Sequence, residues 1–210
     1  MIGNYIKEAC VENLSQVLQA QKKGANRIEL CDRLDLDGTT PPRELIIAAM
    51  ETGIPVRVMI RPRGGDFIYT EEELNKMESS ILFCKELGVE AVVFGIQKED
   101  GYLNYEQIQK LAKIASPLKV VVHKAIDNTP DPVGAVKELL NIEEISSILT
   151  SGGMETAFEG KNNLKKMIEI ADGQIEIVVA GKVTESNIEQ LNQFLHSKAY
   201  HGKRIVGDLG

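Results

Sequence analysis

Two thiols, two carboxylates and an imidazole stand at matching places along the chain. Glu8 and Cys10 lie in YIKEAC, Glu29 and Cys31 in RIELC, and His201 in AYH. Alternate residues of an extended strand point to one face, so Glu8 pairs with Cys10 and Glu29 with Cys31. If the two strands are neighbours, both thiols meet at one end of a sheet. Two soft thiolates suit a soft cation such as Cu(I). The alternative is that both are small core hydrophobes, the usual fate of a free cysteine. Cys84, in ILFCKEL, reads as a core residue of a helix.

A second set carries positive charge. Arg61 and Arg63 stand in RPRGGDF, where proline stiffens the loop and two glycines leave it open. Such a donor-rich loop suits a carboxylate or phosphate. In AGKVTESN, Gly181 permits close backbone approach and Lys182 adds charge. Thr184 reads there as a helix start whose N-terminus attracts anions. Lys124 and Ser151 follow the fifth and sixth apolar runs. The candidate anion-binding set is therefore Arg61, Arg63, Lys124, Ser151 and Lys182. His123, Ala125 and Asp127 share parity if the chain stays extended. Glu8, Glu29, Arg61, His123 and Asp127 form the candidate catalytic set, in which Glu29, His123 or Asp127 would transfer protons. A strand-end acid or arginine is also commonly one half of a structural ion pair. His196 reads as a solvated helix-end residue.

These residues sit at the ends of short apolar runs, at 5–10, 27–31, 56–60, 91–94, 119–123, 146–149, 176–179 and 199–201. KVVVH and IEIVVAG read as buried parallel strands. Helix signals fall between the runs. Asn13 with Gln16, Thr70 with Glu73 and Asn104 with Gln107 have capping-box or similar spacing. Thr40-Pro41 and Asp131-Pro132 place a cap before a first-turn proline. Gly24, Gly53 and Gly88 mark helix ends. Eight strands and seven helices alternate, which predicts a single α/β domain over residues 1–210, a (β/α)8 TIM barrel. The tail after His201 is too short and glycine-broken for a good eighth helix. The rival, an open doubly wound sheet, is disfavoured because the first turn lacks a G-x-G-x-x-G fingerprint. In a barrel every candidate above would gather at the carboxyl-end mouth.

Composition removes other classes. Lys+Arg is 24 and Asp+Glu 31, a net charge of −7, and Trp is absent. That balance argues against nucleic acid and against an anionic membrane surface as partner. No stretch approaches the ~18 apolar residues of a membrane span. MIGNYIKEAC lacks the pattern of a secretory leader. Three cysteines in such a chain read as reduced thiols of the cytoplasm.

Several longer stretches resemble the CutC family, named for copper homeostasis. They are RIELCD at 27–32, GTTPP at 38–42, MIRPRGGDFIY at 59–69, VVFG at 92–95, VHKAID at 122–127, ILTSGG at 148–153, VVAGKV at 178–183 and YHG at 200–202. The resemblance runs in order over almost the whole chain. It implies a cytoplasmic (β/α)8 barrel that handles copper, with Glu8, Glu29, Cys31, Arg61, Arg63, His123, Asp127 and His201 at a shared mouth. Lys124 stands where the family more usually has arginine, Ile126 where it has an aromatic residue, and Lys182 within what is usually a glycine run. The C-terminal extension of longer members is absent. The missing eighth helix should leave apolar wall exposed beside the first and last strands, which predicts a homodimer or higher homo-oligomer. The expected ligand is Cu(I) at Cys10 and Cys31. The alternative is a small anionic metabolite, phosphorylated or not, acted on by a barrel enzyme.

Overall fold

Runs such as AVVF and KVVV are apolar on both faces, so they require a sheet covered on both sides. The computed structural model describes residues 5–210; residues 1–4, where the segment read for a leader begins, lie outside them. Eight parallel strands close in chain order into one barrel. They are β1 (Ile6–Val11), β2 (Arg27–Leu30), β3 (Val56–Met59), β4 (Ala91–Phe94), β5 (Lys119–Val122), β6 (Ile145–Thr150), β7 (Glu176–Val179) and β8 (Ala199–Gly202). Between them run α1 (Leu14–Lys22), α2 (Arg43–Glu51), α3 (Glu71–Leu87), α4 (Tyr105–Ala115), α5 (Pro132–Leu139), α6 (Lys161–Ala171) and α7 (Ile188–Leu195). The predicted count and order of elements are those observed.

Most of the capping signals act as read. Asn13, Asn104 and Asp131 each accept a backbone N–H three residues on, and Thr70 with Glu73 completes a capping box. Each such cap is worth about 1 kcal/mol. Two differ. Helix α2 begins at Arg43 with Pro42 at its cap position, because the Thr40 hydroxyl is spent on the Arg61 backbone N–H at 2.8 Å. Helix α7 begins at Ile188, not Thr184. The Asn187 side chain captures the Thr184 N–H at 2.8 Å and folds TESN into a turn, so no helix N-terminus opens there. The chain after β5 also departs from the extended form. Residues Lys124–Asn128 curl into a 3-10 turn capped by the His123 side chain, which breaks the assumed parity of His123 and Asp127.

The alternation of strand side chains builds two cores. Outward residues such as Ile28, Val58, Val92, Val122 and Ile148 pack against the helices. Inward residues fill the barrel, with Met59, Ala91, Val93, Val121, Leu149, Val178 and Ala199 forming an apolar side. The other side of the interior, on β1, β2, β3, β7 and β8, is charged.

After β8, residues 203–210 form turns and isolated bridges in place of a helix. Ile205, Val206 and Leu209 are buried in the outer core, and the tail bonds back to Gln16 of α1 and to Lys23 at its C-cap. The short tail therefore covers wall that a missing helix was expected to expose, and the oligomer expectation loses that premise.

Candidate functional site

The charged side of the interior is layered. At the floor, Arg27 and Arg57 face Glu8, Glu176 and Glu90. Arg27 Nε lies 2.5 Å from Glu8 Oε2 and Arg27 Nη2 lies 2.7 Å from Glu176 Oε2. Arg57 reaches Glu8 at 3.2 Å and both Glu90 and Glu176 at 3.4 Å. One layer up, barrel closure sets His201 opposite Glu8, and the β1–β2 register sets Cys10 opposite Glu29. His201 Nδ1 lies 2.9 Å from Glu8 Oε1, and its Nε2 lies 3.7 Å from Glu29 Oε2. Cys10 Sγ and Cys31 Sγ lie 3.6 and 3.5 Å from that same Glu29 oxygen. Cys10, Glu29 and Cys31 bring three donor atoms within 4.8 Å of one another, and so do Glu8, Glu29 and His201.

The layering sets opposite charge states. Burial opposes ionisation of Glu8, but the His201 hydrogen bond and the Arg27 and Arg57 charges outweigh it and hold the carboxyl at about 2. Burial pushes Glu29 up to about 8, with the Cys10 and Glu8 charges adding to the rise against the pull of His201. The hydrogen bond from Cys31 holds the Cys10 thiol well below its ordinary value, and His201 helps. Cys31, which donates that bond, is pushed well up. Burial opposes the charged form of His201, but Glu29, Cys10 and Glu8 outweigh it and raise the imidazole well above its ordinary value. Cys10 and His201 are thus pulled towards their charged forms, and Cys31 and Glu29 away from theirs.

Above lies a cavity of about 1050 Å³ at the carboxyl ends of the strands. Of the expected site residues, Cys10, Glu29, Cys31, Arg61, His123, Lys124, Asp127 and Lys182 line it. Glu8 lies beneath, in the floor network. Arg63 is turned outward to Glu73 and Asp66, at 2.6 and 2.9 Å. Ser151 is fully buried behind the wall and bonds Asp127. Asp127 is itself filled by the Thr150 hydroxyl and the Ser151 and Gly153 N–H groups, which makes it the anchor of the TSGG loop. Lys182 is exposed and pairs with Glu155. Sequence reasoning missed Lys203 and Arg204 in the cavity rim and Phe67 in its wall. It also missed Arg27, although Arg27, Glu29 and Cys31 alternate visibly in RIELC.

The donor set fits a soft cation. Two buried sulfurs and a carboxyl converge, one thiol is lowered towards the thiolate, and Glu29 Oε1 is buried without a partner. Among the described residues no helix is long and apolar enough to cross a membrane.

Comparison with known proteins adds the family. The model of the CutC family matches residues 5–205. The human copper homeostasis protein cutC homolog is 36% identical over 210 residues, covering 99% of this chain and 77% of that protein. A family protein CutC of Enterococcus faecalis is 37% identical over 209 residues, covering 96% of this chain and all of that one. The crystal structure of CutC from Streptococcus agalactiae superposes with a TM-score of 0.90 at 37% identity, covering 96% of this chain and 99% of that one.

Proposed function

The chain belongs to the CutC family, and from that premise we propose that it serves copper homeostasis in the cytoplasm by holding Cu(I) on the Cys10 and Cys31 thiolates. The observation that carries this reading is the convergence of both sulfurs and Glu29 within 4.8 Å at the base of the cavity. Cu(I) favours thiolates over harder donors, and the lowered Cys10 thiol gives up its proton to it more readily than a free thiol. Binding at Cys31 displaces its proton. Glu29 stands beside both sulfurs as a neutral third donor. All three cysteines are free thiols, as a reducing compartment requires.

Competition titration of the reduced protein tests this. One tight Cu(I) equivalent is expected, lost in Cys10→Ser and in Cys31→Ser and retained in Cys84→Ser, whose sulfur is buried outside the barrel. Equal weakening by all three changes marks the binding as adventitious and overturns the reading.

A second reading rests on the size of the cavity. A volume of about 1050 Å³ far exceeds one ion, and Lys124, Lys182, Lys203 and Arg204 ring it. These features favour a small anionic metabolite, which a barrel enzyme would act on at its mouth. Glu29, held at about 8, is the group suited to proton transfer near neutrality. A ligand at 100 times its dissociation constant adds about 2.7 kcal/mol of stability, so a raised melting temperature with small carboxylates or phosphate supports this reading.

A further inference from the structure

Across the mouth from the thiols, two buried side chains hold N–H groups without partners. His123 ends β5 and is 4% exposed. The Ala125 backbone N–H donates to its Nδ1 at 3.2 Å, so Nδ1 is an acceptor and carries no proton. The neutral ring must then carry its proton on Nε2, and Nε2 has no partner. The Nδ1 edge is pressed against the chain just after β4, since a Cβ on Gly95 would stand 2.7 Å from it. Burial and the nearby Arg61 charge hold the imidazole down to about 3, so it stays neutral.

Arg61 is fixed just as firmly. Its Nη1 donates to Leu36 O and Gly38 O at 2.9 and 3.0 Å, its Nη2 to Gly65 O at 2.7 Å, and its Nε has no partner. Phe67 joins the two. Its ring centroid lies 4.7 Å from the His123 ring and 4.7 Å from Arg61 Cζ. All three residues line the cavity. Buried N–H groups without acceptors are costly and uncommon, so two on one wall call for an occupant.

We propose that His123 and Arg61 form a subsite for the carbonyl or carboxylate oxygen of a small organic ligand, with neutral His123 donating from Nε2–H. The proposal rests on the small-molecule reading above and adds the ligand's chemical group and the atom that receives it. An acceptor oxygen matches a neutral N–H, and the guanidinium favours negative charge on it. A phosphoryl group, with three oxygens, calls for more donors than these two. His123 is then a fixed hydrogen-bond donor and not the proton-transfer group expected from its place in the sequence.

Nitrogen-15 NMR of histidine-labelled, reduced, metal-free protein tests this, with His196, which does not line the cavity, as the internal reference. At pH 7 and at pH 5, His123 should be the neutral Nε2–H tautomer. Acetate and malonate should shift its Nε2 signal saturably. His123→Gln should weaken carboxylate binding at least tenfold and leave Cu(I) binding intact. The wild-type spectra decide the matter even if that variant fails to fold. An Nδ1–H tautomer, or a doubly protonated ring at pH 5, overturns the proposal. Phosphate moving His123 where carboxylates do not overturns the ligand class. Carboxylates that raise the melting temperature without moving His123 sink the subsite and leave the small-molecule reading standing. If no probe moves a cavity histidine or raises the melting temperature, both fall.

Discussion

Glu8 and Glu29 occupy neighbouring strands of one barrel interior, at 1% and 2% exposure, and hold opposite charge states. Glu8 sits at the floor, where Arg27, Arg57 and His201 converge on its two oxygens, and it stays ionised. Glu29 sits one layer higher, beside two sulfurs and a single imidazole edge, with one oxygen unpartnered, and it keeps its proton. Burial acts alike on both. The number of fixed cations within reach makes the difference. A saturated ion network does structural work; an under-satisfied cluster of the same residue types is left free to bind.

The sharpest way to break this contrast is Glu8→Ala. Removing the carboxylate takes from Arg27 and Arg57, both at most 4% exposed, the more buried of the two acids they share, and leaves them Glu176. A loss of about 3–5 kcal/mol is expected in urea unfolding. Glu29→Gln replaces a group that is already neutral and should cost less than about 1 kcal/mol at pH 7. Equal costs would erase the distinction between floor and mouth.

Next in size are the pH effects, which have opposite signs. The Glu8 carboxyl falls from 4.5 to about 2 on folding, so the stability it contributes is present above pH 4.5 and is lost as pH drops towards 2. The Glu29 carboxyl rises from 4.5 to about 8, so the folded state keeps a proton that the unfolded chain releases. Stability of the metal-free wild type should therefore fall, relative to Glu29→Gln, as pH rises from about 4.5 to about 8. Melting temperatures of both proteins across that range check it, and parallel curves would show Glu29 to be ionised throughout.

Smaller on stability but decisive for binding is Cys10→Ser. It should change unfolding by about 1 kcal/mol and abolish tight Cu(I) binding, whereas the Glu8 change should do most of its damage to the fold. The smallest effect belongs to the rim. Lys182 is exposed and paired only with Glu155, so Lys182→Ala should leave the melting temperature of the free protein unchanged. Its measurable consequence is weaker binding of anionic probes, read by the melting shift they produce.

Much of the barrel is legible in the chain because its signals are local. KVVV and AVVF need cover on both faces, and Asn13, Thr70, Asn104 and Asp131 carry their helix starts within three residues. Strand parity likewise puts Glu8 with Cys10 and Glu29 with Cys31. The failures are also local, where a side chain chose a rival partner. Thr40 serves the Arg61 backbone instead of capping α2, and Asn187 takes the Thr184 N–H that a helix was expected to present.

The sequence by itself determined the fold, the inward faces and the inventory of thiols, acids and cations, since these follow from periods of two and 3.6 residues. Only the tertiary structure decided who meets whom. Strand register set Cys10 level with Glu29, and ring closure carried His201, 193 residues away in sequence, to Glu8. Register and closure are properties of the whole ring. They set how many cations face each carboxyl, and through that which acid stays charged and which keeps its proton. The roles of the cations were decided in the same way. Arg61 and Arg63 are two residues apart in one motif, yet one is locked into the cavity wall by three carbonyls and the other turns away to Glu73 and Asp66. A loop's own sequence holds no record of which carbonyls the neighbouring loops will present to it.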